Sequence, residues 1–369
     1  MDDTRRSMLR RSAGLLGVGV VGSLAGCAGT GVGSGAGDGG GGGAVDGLDS
    51  GYAMFFPLHD WANRVAGDHA TFTNPVDVGQ LGHGWEPSGT LAADVASTDA
   101  FVYFDSAEFT WAQDLASTLE SDYEDVAVID GLSDLDEQLL AWDHGQESHE
   151  EGHDEEGGGD DHDHEEEDGG DDHDHEEEDD HEEEDEHDHG SEIDPHVWVD
   201  PVLATEVVDT IAGGLSDVDP DNADDYVENA EAYKSELDEV DEAFSSLVGD
   251  AEREVVVLGG HDSFQYLSER YGFEIHSPVG VSPQNEPRAS DISDTIEVVD
   301  ENGIDVVLYD RFESPNLAET IVENSDASET MAVTAVGGST REWNEAGYGY
   351  REQMLEVNVP AFRRALGAE

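Results

Sequence analysis

The chain has 369 residues, a net charge of −77 at pH 7 and a single cysteine. The charge excludes nucleic acid as a partner, because a polyanion repels an acidic surface, and one cysteine excludes an internal disulfide. Such a surface also repels itself, except in molar salt, where the Debye length falls to about 3 Å. The composition therefore indicates adaptation to high salt.

The first 27 residues have the pattern of an export signal. Arg5 and Arg6 precede an apolar, small-residue stretch at 13–25, which is typical of a twin-arginine signal. The stretch is shorter than the roughly 20 residues of a membrane-spanning helix. It ends in a lipobox-like Leu-Ala-Gly before Cys27, which predicts lipidation of Cys27 and anchoring to the outer face of the cytoplasmic membrane. The alternative is an ordinary cleaved signal with an incidental cysteine.

After a glycine-rich, flexible tether at 28–50, the chain alternates strands and helices in two segments, 51–218 and 251–369. Apolar runs predict strands at 52–56, 100–104, 126–129, 254–258 and 305–309, and helices at 60–66 and 199–215. Continuous β-branched runs are typical of parallel strands covered on both faces. The sequence therefore predicts an α/β fold of two lobes, each with a parallel sheet.

Residues 144–192 interrupt the first lobe with a segment that cannot pack a core. It holds ten of the sixteen histidines and 28 acidic residues, with no lysine or arginine. Fixing each residue around a metal costs about 1–2 kcal/mol, so we expect weak, exchanging accessory metal capture. The histidines for this role are His162, His164, His173, His175, His187 and His189. A low-complexity halophilic loop without a function is the alternative.

A long amphipathic helix is predicted at 219–250, between the lobes. Apolar residues recur three and four apart from Tyr226 onwards, with acids on the other face. Asp219 and Pro220 mark its start and Gly249 its end. About 28 residues would span roughly 42 Å, which makes a stiff spine joining the lobes. The alternative is an ordinary helix packed within one domain.

Three histidines outside the insert lie in contexts typical of metal ligands. His83 lies between glycines, His196 follows Pro195, and His261 lies just beyond a predicted strand, where open α/β sheets bind ligands. Two belong to the first lobe and one to the second, so a shared metal would lie in the cleft between them. Three imidazoles suit Zn²⁺ and leave a fourth position open, although each alone is more often structural.

At these histidines the sequence resembles the metal-specific substrate-binding proteins of zinc and manganese ABC importers. Residues 83–88 (HGWEPS) are similar to the family's His-x-Tyr-Glu-Pro-[ST] loop, and 194–201 (DPHVWVDP) nearly reproduce its Asp-Pro-His-x-Trp-[LM]-[DS]-Pro motif. Shorter matches occur at 55–58, 280–283 and 286–287. The resemblance runs from residue 51 to the C-terminus and implies two α/β lobes joined by a long helix.

The resemblance implies that His83, His196 and His261 bind the metal. Manganese members tend to have Glu at the third position, so His261 favours zinc, because nitrogen ligands discriminate against Mn²⁺. Thr334 stands where many members have an Asp, which leaves the fourth ligand open between water, an insert residue and nearby carboxylates. The candidates for fourth ligand or second shell are Glu86, Asp262 and Asp310, and His59 is a candidate minor ligand.

The function implied is extracytoplasmic capture of Zn²⁺ by a lipid-anchored monomer, which delivers it to an ABC permease and its ATPase. A manganese- or iron-binding member of the same family and a surface zinc-storage protein are the alternatives. A metallohydrolase is disfavoured, because the sequence has no His-Glu-x-x-His and no base paired with a nucleophile. We therefore expect no enzymatic activity.

Overall fold

Two four-stranded parallel sheets form the framework of the computed structural model, which describes residues 48–82, 84–141, 193–281 and 285–368. The predicted export signal, Cys27, the tether, His83 and the six histidines of the insert lie outside the described residues. The predicted α/β class with a parallel sheet in each half is confirmed.

The first sheet has the strand order β2-β1-β3-β4. Its strands are β1 (Ser50–Ala53), β2 (Thr71–Thr73), β3 (Ala100–Tyr103) and β4 (Ala127–Asp130). The strand predicted at 52–56 is partly wrong, because β1 ends at Ala53 and a helix begins at Phe56. Pro57 occupies the first turn of that helix, where its fixed φ favours helix and no amide hydrogen bond is lost.

The second sheet repeats this plan with the order β6-β5-β7-β8. Its strands are β5 (Val255–Leu258), β6 (Glu274–His276), β7 (Val306–Asp310) and β8 (Glu329–Val333). The direction in which the chain adds strands to the sheet changes between β1 and β3 in the first sheet and between β5 and β7 in the second. Ligands bind at such switch points, beyond the carboxyl ends of the strands.

Helices cover both sheets. In the first half they are α1 (Phe56–Ala66), α2 (Leu91–Val95), α3 (Thr110–Asp122) and α4 (Pro201–Val218). In the second half they are α6 (Gln265–Tyr271), α7 (Ala289–Asn302), α8 (Asn316–Glu323), α9 (Arg341–Ala346), α10 (Tyr350–Gln353) and α11 (Val359–Leu366). Within the described residues, no helix combines the length and apolar character needed to cross a membrane.

Between the halves lies α5 (Ala223–Gly249), which has 27 residues. Its apolar face packs against α1 and α4 of the first half and α11 of the second. The helix starts later than residue 219, because Asp219 lies before it and accepts hydrogen bonds from Asn222 and Tyr226. It thus contacts helices of both halves, as expected of a spine.

Trp198 lies at the seam, the contact between the first and second halves of the chain. Its ring lies 4.8 Å from that of Phe55, and its indole N–H donates to the carbonyl of Ala335 at 2.6 Å. The Tyr350 hydroxyl donates to the carbonyl of Trp198 at 2.7 Å. Both bonds cross from the first half to the second, so they fix the backbone beside His196.

Candidate metal centre

His196 begins a short 3₁₀ turn, His196–Val199, and is fully buried. The Oδ1 atom of Asp194 accepts two hydrogen bonds from it, from the backbone N–H at 2.9 Å and from ring Nδ1 at 2.7 Å. One carboxylate oxygen therefore fixes both the turn and the orientation of the ring. A histidine whose Nδ1–H bonds a carboxylate presents Nε2 to a metal, with increased basicity.

His261 follows β5 after two glycines and is 4% exposed. Its Nδ1 bonds the carboxylate of Glu313, in the loop after β7. A β-carbon on Gly260 would lie 2.5 Å from Oε2 of Glu313, and one on Gly259 would lie 2.7 Å from Ala318. Gly259 is therefore required for the close approach of helix α8, whereas a β-carbon at Gly260 would push the Glu313 carboxylate aside.

The charge around His261 favours its protonated form in the absence of metal. Burial alone lowers the pKa of His261, but the hydrogen bond and charge of Glu313, helped by Asp310 and Asp262, outweigh it and raise the pKa above its ordinary value. A site that concentrates negative charge on an imidazole also favours a metal cation in place of the proton.

The two buried imidazoles lie side by side, with ring centroids 5.6 Å apart. For Zn–N bonds of about 2.0–2.1 Å at a tetrahedral angle, the centroids of two ligating rings would be roughly 5 Å apart. The observed separation is close to that value. His196 comes from the first half and His261 from the second, so the pair joins the halves.

Asp310 ends β7 and is 2% exposed. Its two oxygens accept backbone hydrogen bonds from Phe312 at 2.7 Å and from Ala335 at 2.8 Å. Burial raises the pKa of Asp310 to about 6. The carboxylate thus ties together the loops after β7 and β8 beside His261, and both of its oxygens are engaged in doing so.

Asp262 is also almost fully buried, at 2% exposure. It accepts hydrogen bonds from the backbone N–H of Phe264 at 3.0 Å and from the side-chain amide of Gln265. Burial raises its pKa to about 6. It lines a cavity that it shares with Asp194.

The remaining candidates lie apart from the histidine pair. Glu86 is exposed and lines an open pocket of the first half with Trp85 and Asn74. His59 is half-buried on α1 in a different cavity, where burial lowers its pKa. Thr334 is buried and fills a structural role, because its hydroxyl accepts the N–H of Val336 at 3.0 Å.

Across the described residues, no three His, Cys, Asp or Glu side chains lie close enough together to hold a metal ion. The described part of the site therefore consists of two histidines and their carboxylate partners. The roles of Asp194 and Glu313 were not predicted. Asp194 stands in the same motif as His196, two residues before it, whereas Glu313 is 52 residues from His261 and no local pattern links them.

Two parallel-sheet halves, each contributing one buried histidine where they meet, define a two-lobed α/β protein. The family described as "Zinc-uptake complex component A periplasmic" matches residues 52–365. The chain belongs to this family, which confirms the predicted resemblance.

Individual relatives agree with this assignment. The chain is 30% identical over 330 residues to the zinc-binding lipoprotein AdcA of Streptococcus pneumoniae (strain ATCC BAA-255 / R6), covering 88% of this chain and 57% of AdcA. It is 25% identical over 312 residues to the high-affinity zinc uptake system protein ZnuA of Bacillus subtilis, covering 85% of this chain and 86% of ZnuA. The chain thus spans little more than half the length of AdcA.

Solved structures show the same architecture. The Zn(II)-bound ZnuA-like domain of S. pneumoniae AdcA superposes with a TM-score of 0.64 at 25% identity, covering 87% of this chain and 99% of that domain. The metal-dependent lipoprotein YcdH of B. subtilis gives a TM-score of 0.65 at 22% identity, covering 86% of this chain and 99% of that one. The second likeness concerns the fold alone.

Proposed function

We propose that this chain is the extracytoplasmic component of an ABC importer, which captures Zn²⁺ between its two halves and delivers it to the permease. The pair of buried histidines carries this proposal. His196 and His261 come from different halves, lie 5.6 Å apart, and each has Nδ1 on a carboxylate. Carboxylate-supported imidazoles are the usual construction of zinc sites.

The proposed ligands are His83, His196 and His261, with water at the fourth position. Gly82 supports the inclusion of His83, because Gly82 packs against Phe55, which in turn contacts Trp198 beside His196. Three imidazoles leave one open position on a tetrahedral zinc ion. Asp194 and Glu313 orient the described ligands through their hydrogen bonds, and the negative charge of Asp310 also raises the pKa of His261.

Zinc is the proposed cargo for two reasons. Nitrogen ligands favour Zn²⁺ over Mn²⁺, whose preferred ligands are oxygens. The relatives AdcA and ZnuA are named for zinc binding and zinc uptake. A manganese- or iron-binding member of the family is the second candidate, which a direct metal competition would identify.

The route of delivery follows from the predicted anchor. Lipidation at Cys27 would hold the chain at the outer face of the cytoplasmic membrane, beside a permease and its ATPase. We propose that docking shifts the seam and separates His196 from His261, which releases the ion without catalysis. Disruption of the genes for the permease or ATPase should then abolish zinc uptake that depends on this chain. If the chain were a storage protein, the amount of zinc that it holds would not depend on these genes.

Substitution of the histidines tests the proposed site. His196→Ala and His261→Ala should each weaken Zn²⁺ binding more than about 100-fold, since loss of a supporting partner alone costs 10–100-fold. His59→Ala is the matched control, because His59 is a half-buried histidine in a separate cavity. Binding is measured by competition with a chelator of known affinity. Wild-type affinity in His196→Ala would refute the site.

A further inference from the structure

Residues 79–82 of the first half lie on a buried loop of the second half, residues 334–339, which we call the seat. The N–H of Gly79 donates to the carbonyl of Ser339 at 2.8 Å, so a backbone hydrogen bond joins the halves here. The segment 79–82 directly precedes the proposed ligand His83 in the sequence. The second half therefore supports the chain that leads to this histidine.

Two glycines of the seat make this contact possible. A β-carbon on Gly338 would lie 2.5 Å from the carbonyl oxygen of Gln80, which is a backbone atom and cannot rotate away. A β-carbon on Gly337 would lie 3.5 Å from the side chain of Leu81, which is an ordinary contact. Gly338 is therefore the residue of the seat at which any side chain would push the segment 79–82 away.

Buried amide side chains of the second half hold the seat in place. Asn358 is fully buried and bonds both backbone groups of Thr334, accepting its N–H at 2.9 Å and donating to its carbonyl at 2.8 Å. Gln353, also fully buried, donates to the carbonyl of Gly338 at 3.1 Å. A π-helical turn, Met354–Asn358, separates these two amides. Its wider turn brings residues five apart nearer to one face than the 3.6 residues per turn of an α-helix would.

The seat also contains a strained residue. Among the described residues, Val336 is the only non-glycine with a positive φ, at 57°. A β-branched residue in this conformation is an outlier that persists only where its surroundings hold it, and such residues cluster at functional sites. Its N–H donates to the Thr334 hydroxyl at 3.0 Å. The adjacent Ala335 donates to Asp310 and accepts from the indole of Trp198. The seat is therefore a fixed surface.

We propose that Gly338 is a positioning residue for zinc binding, an inference that depends on the proposed function. By allowing the segment 79–82 to lie on the seat, Gly338 lets the second half hold the backbone that leads to His83. The second half would then contribute one ligand, His261, and the support for another. Gly338 has no side chain that could bind the metal, so its effect on zinc is exerted through the position of the segment.

The chain after His83 is held within the first half and offers a matched control. The N–H of Trp85 donates to the carbonyl of Gly82 at 3.3 Å, and its ring lies 4.9 Å from that of Trp111. Gly89 lies further along the same loop and is exposed, and a β-carbon there would meet nothing within 4 Å. Gly89→Ala thus makes the same chemical change without touching the second half.

Zinc affinities of the full chain, measured by chelator competition in molar KCl, test the proposal. Gly338→Ala should weaken Zn²⁺ binding by roughly tenfold or more, as loss of a supporting group does, whereas Gly89→Ala should bind as the wild type does. In a His83→Ala background, Gly338→Ala should cause little further loss, because the group that it positions is gone. Wild-type affinity in Gly338→Ala, or equal fold losses in the two backgrounds, would overturn the positioning role alone. Wild-type affinity in His83→Ala would refute the proposed ligands as well.

Hydrogen exchange of the Gly79 amide tests the seat in the unaltered chain. In the metal-free protein this amide should exchange at least roughly tenfold more slowly than an unstructured amide, because it donates to Ser339. Gly338→Ala should remove that protection, and Gly89→Ala should retain it. Unprotected exchange of Gly79 in the wild type would overturn the proposal even if Gly338→Ala failed to fold.

Discussion

At the scale of single residues, the two described histidines share one construction although they lie on different sheets. Each is nearly fully buried, and each has its Nδ1 on a carboxylate, Asp194 for His196 and Glu313 for His261. The histidines themselves could be predicted from glycine, proline and strand context. Glu313 could not, because its contact with His261 depends on how β5 and β7 pair in the sheet.

Glu313→Gln should weaken zinc binding. The amide keeps the shape but removes the negative charge that raises the pKa of His261, so the imidazole becomes a poorer ligand, by about 10–100-fold in affinity. Chelator competition measures the affinity, and NMR titration of His261 should show a lowered pKa, which a purely structural defect would not produce. Glu319→Gln, an exposed change on α8, should leave both unchanged.

The buried carboxyls predict an unusual pH dependence for the metal-free protein. Burial raises the pKa of Asp262 and of Asp310 to about 6 in the folded chain. Their contribution to stability is therefore present below the unfolded pKa near 4 and is lost as pH rises through about 6, by up to roughly 3 kcal/mol for each group.

Melting temperatures between pH 5 and 7.5 check this dependence, because ordinary surface carboxyls are already ionised throughout that range. The metal-free protein should melt at a lower temperature at pH 7.5, and added Zn²⁺ should stabilise it more there than at pH 5, since binding displaces protons. Asp262→Asn should show a smaller slope. A metal-free melting temperature that rises with pH would contradict the assignment.

At the scale of secondary-structure elements, long apolar runs predicted β3, β4, β5 and β7 to within a residue or two. The strands β2, β6 and β8 were not predicted, because β2 and β6 have only three residues each and β8 is mostly half-buried, so none shows a strong apolar run. The end of β1 was misplaced, since Phe55 and Phe56 continue the apolar run into α1. Apolar character alone cannot separate a strand from a buried helix start.

A partly buried ion pair joins elements of the two halves. Oδ1 of Asp200 caps α4 by accepting the N–H of Val202 at 2.8 Å, while Oδ2 pairs with Arg270 of α6 at 2.6 Å. The Asp200 side chain is 3% exposed and that of Arg270 is 33% exposed. The pair therefore both starts a helix and links the halves beside the 3₁₀ turn of His196.

Arg270→Met should lower the free energy of unfolding by roughly 2–4 kcal/mol, because it leaves the buried Asp200 charge without its partner. The partial exposure of Arg270 keeps the expected loss at the lower end for a buried pair. Denaturant unfolding in molar salt measures the change. Arg288→Met removes the partner of Asp291 in a pair whose arginine is 67% exposed and should leave the free energy of unfolding nearly unchanged, because solvent screens exposed pairs. Equal effects of the two substitutions would show that the Asp200–Arg270 pair adds nothing to the free energy of unfolding.

At the scale of the whole molecule, the family, the two-sheet architecture and the long helix between the halves could be predicted, because each depends on motifs or long periodic segments. The strongest global property of the chain is its charge of −77. Most acidic side chains of the described residues lie at exposed positions, where self-repulsion opposes folding and salt screens it.

We expect the unfolding temperature to rise steeply between 0.1 M and 2 M KCl, with the largest gain at low salt, where the Debye length changes most. Thermal unfolding monitored by circular dichroism measures this. Sucrose is the control, since it stabilises by exclusion from the protein surface without screening charge. If sucrose matched KCl at low concentration, charge repulsion would not be the cause.

The central claim is that zinc binds at the histidines between the halves and not mainly in the insert. Ala141 and Ile193 pair directly, so residues 145–191 can be removed and the ends joined without straining the fold. Competitive titration of this shortened chain with Zn²⁺ and Mn²⁺ in molar KCl is the most direct test. One tight, zinc-selective site that His196→Ala abolishes is the predicted result. The absence of any tight site would contradict the account and place metal capture in the insert.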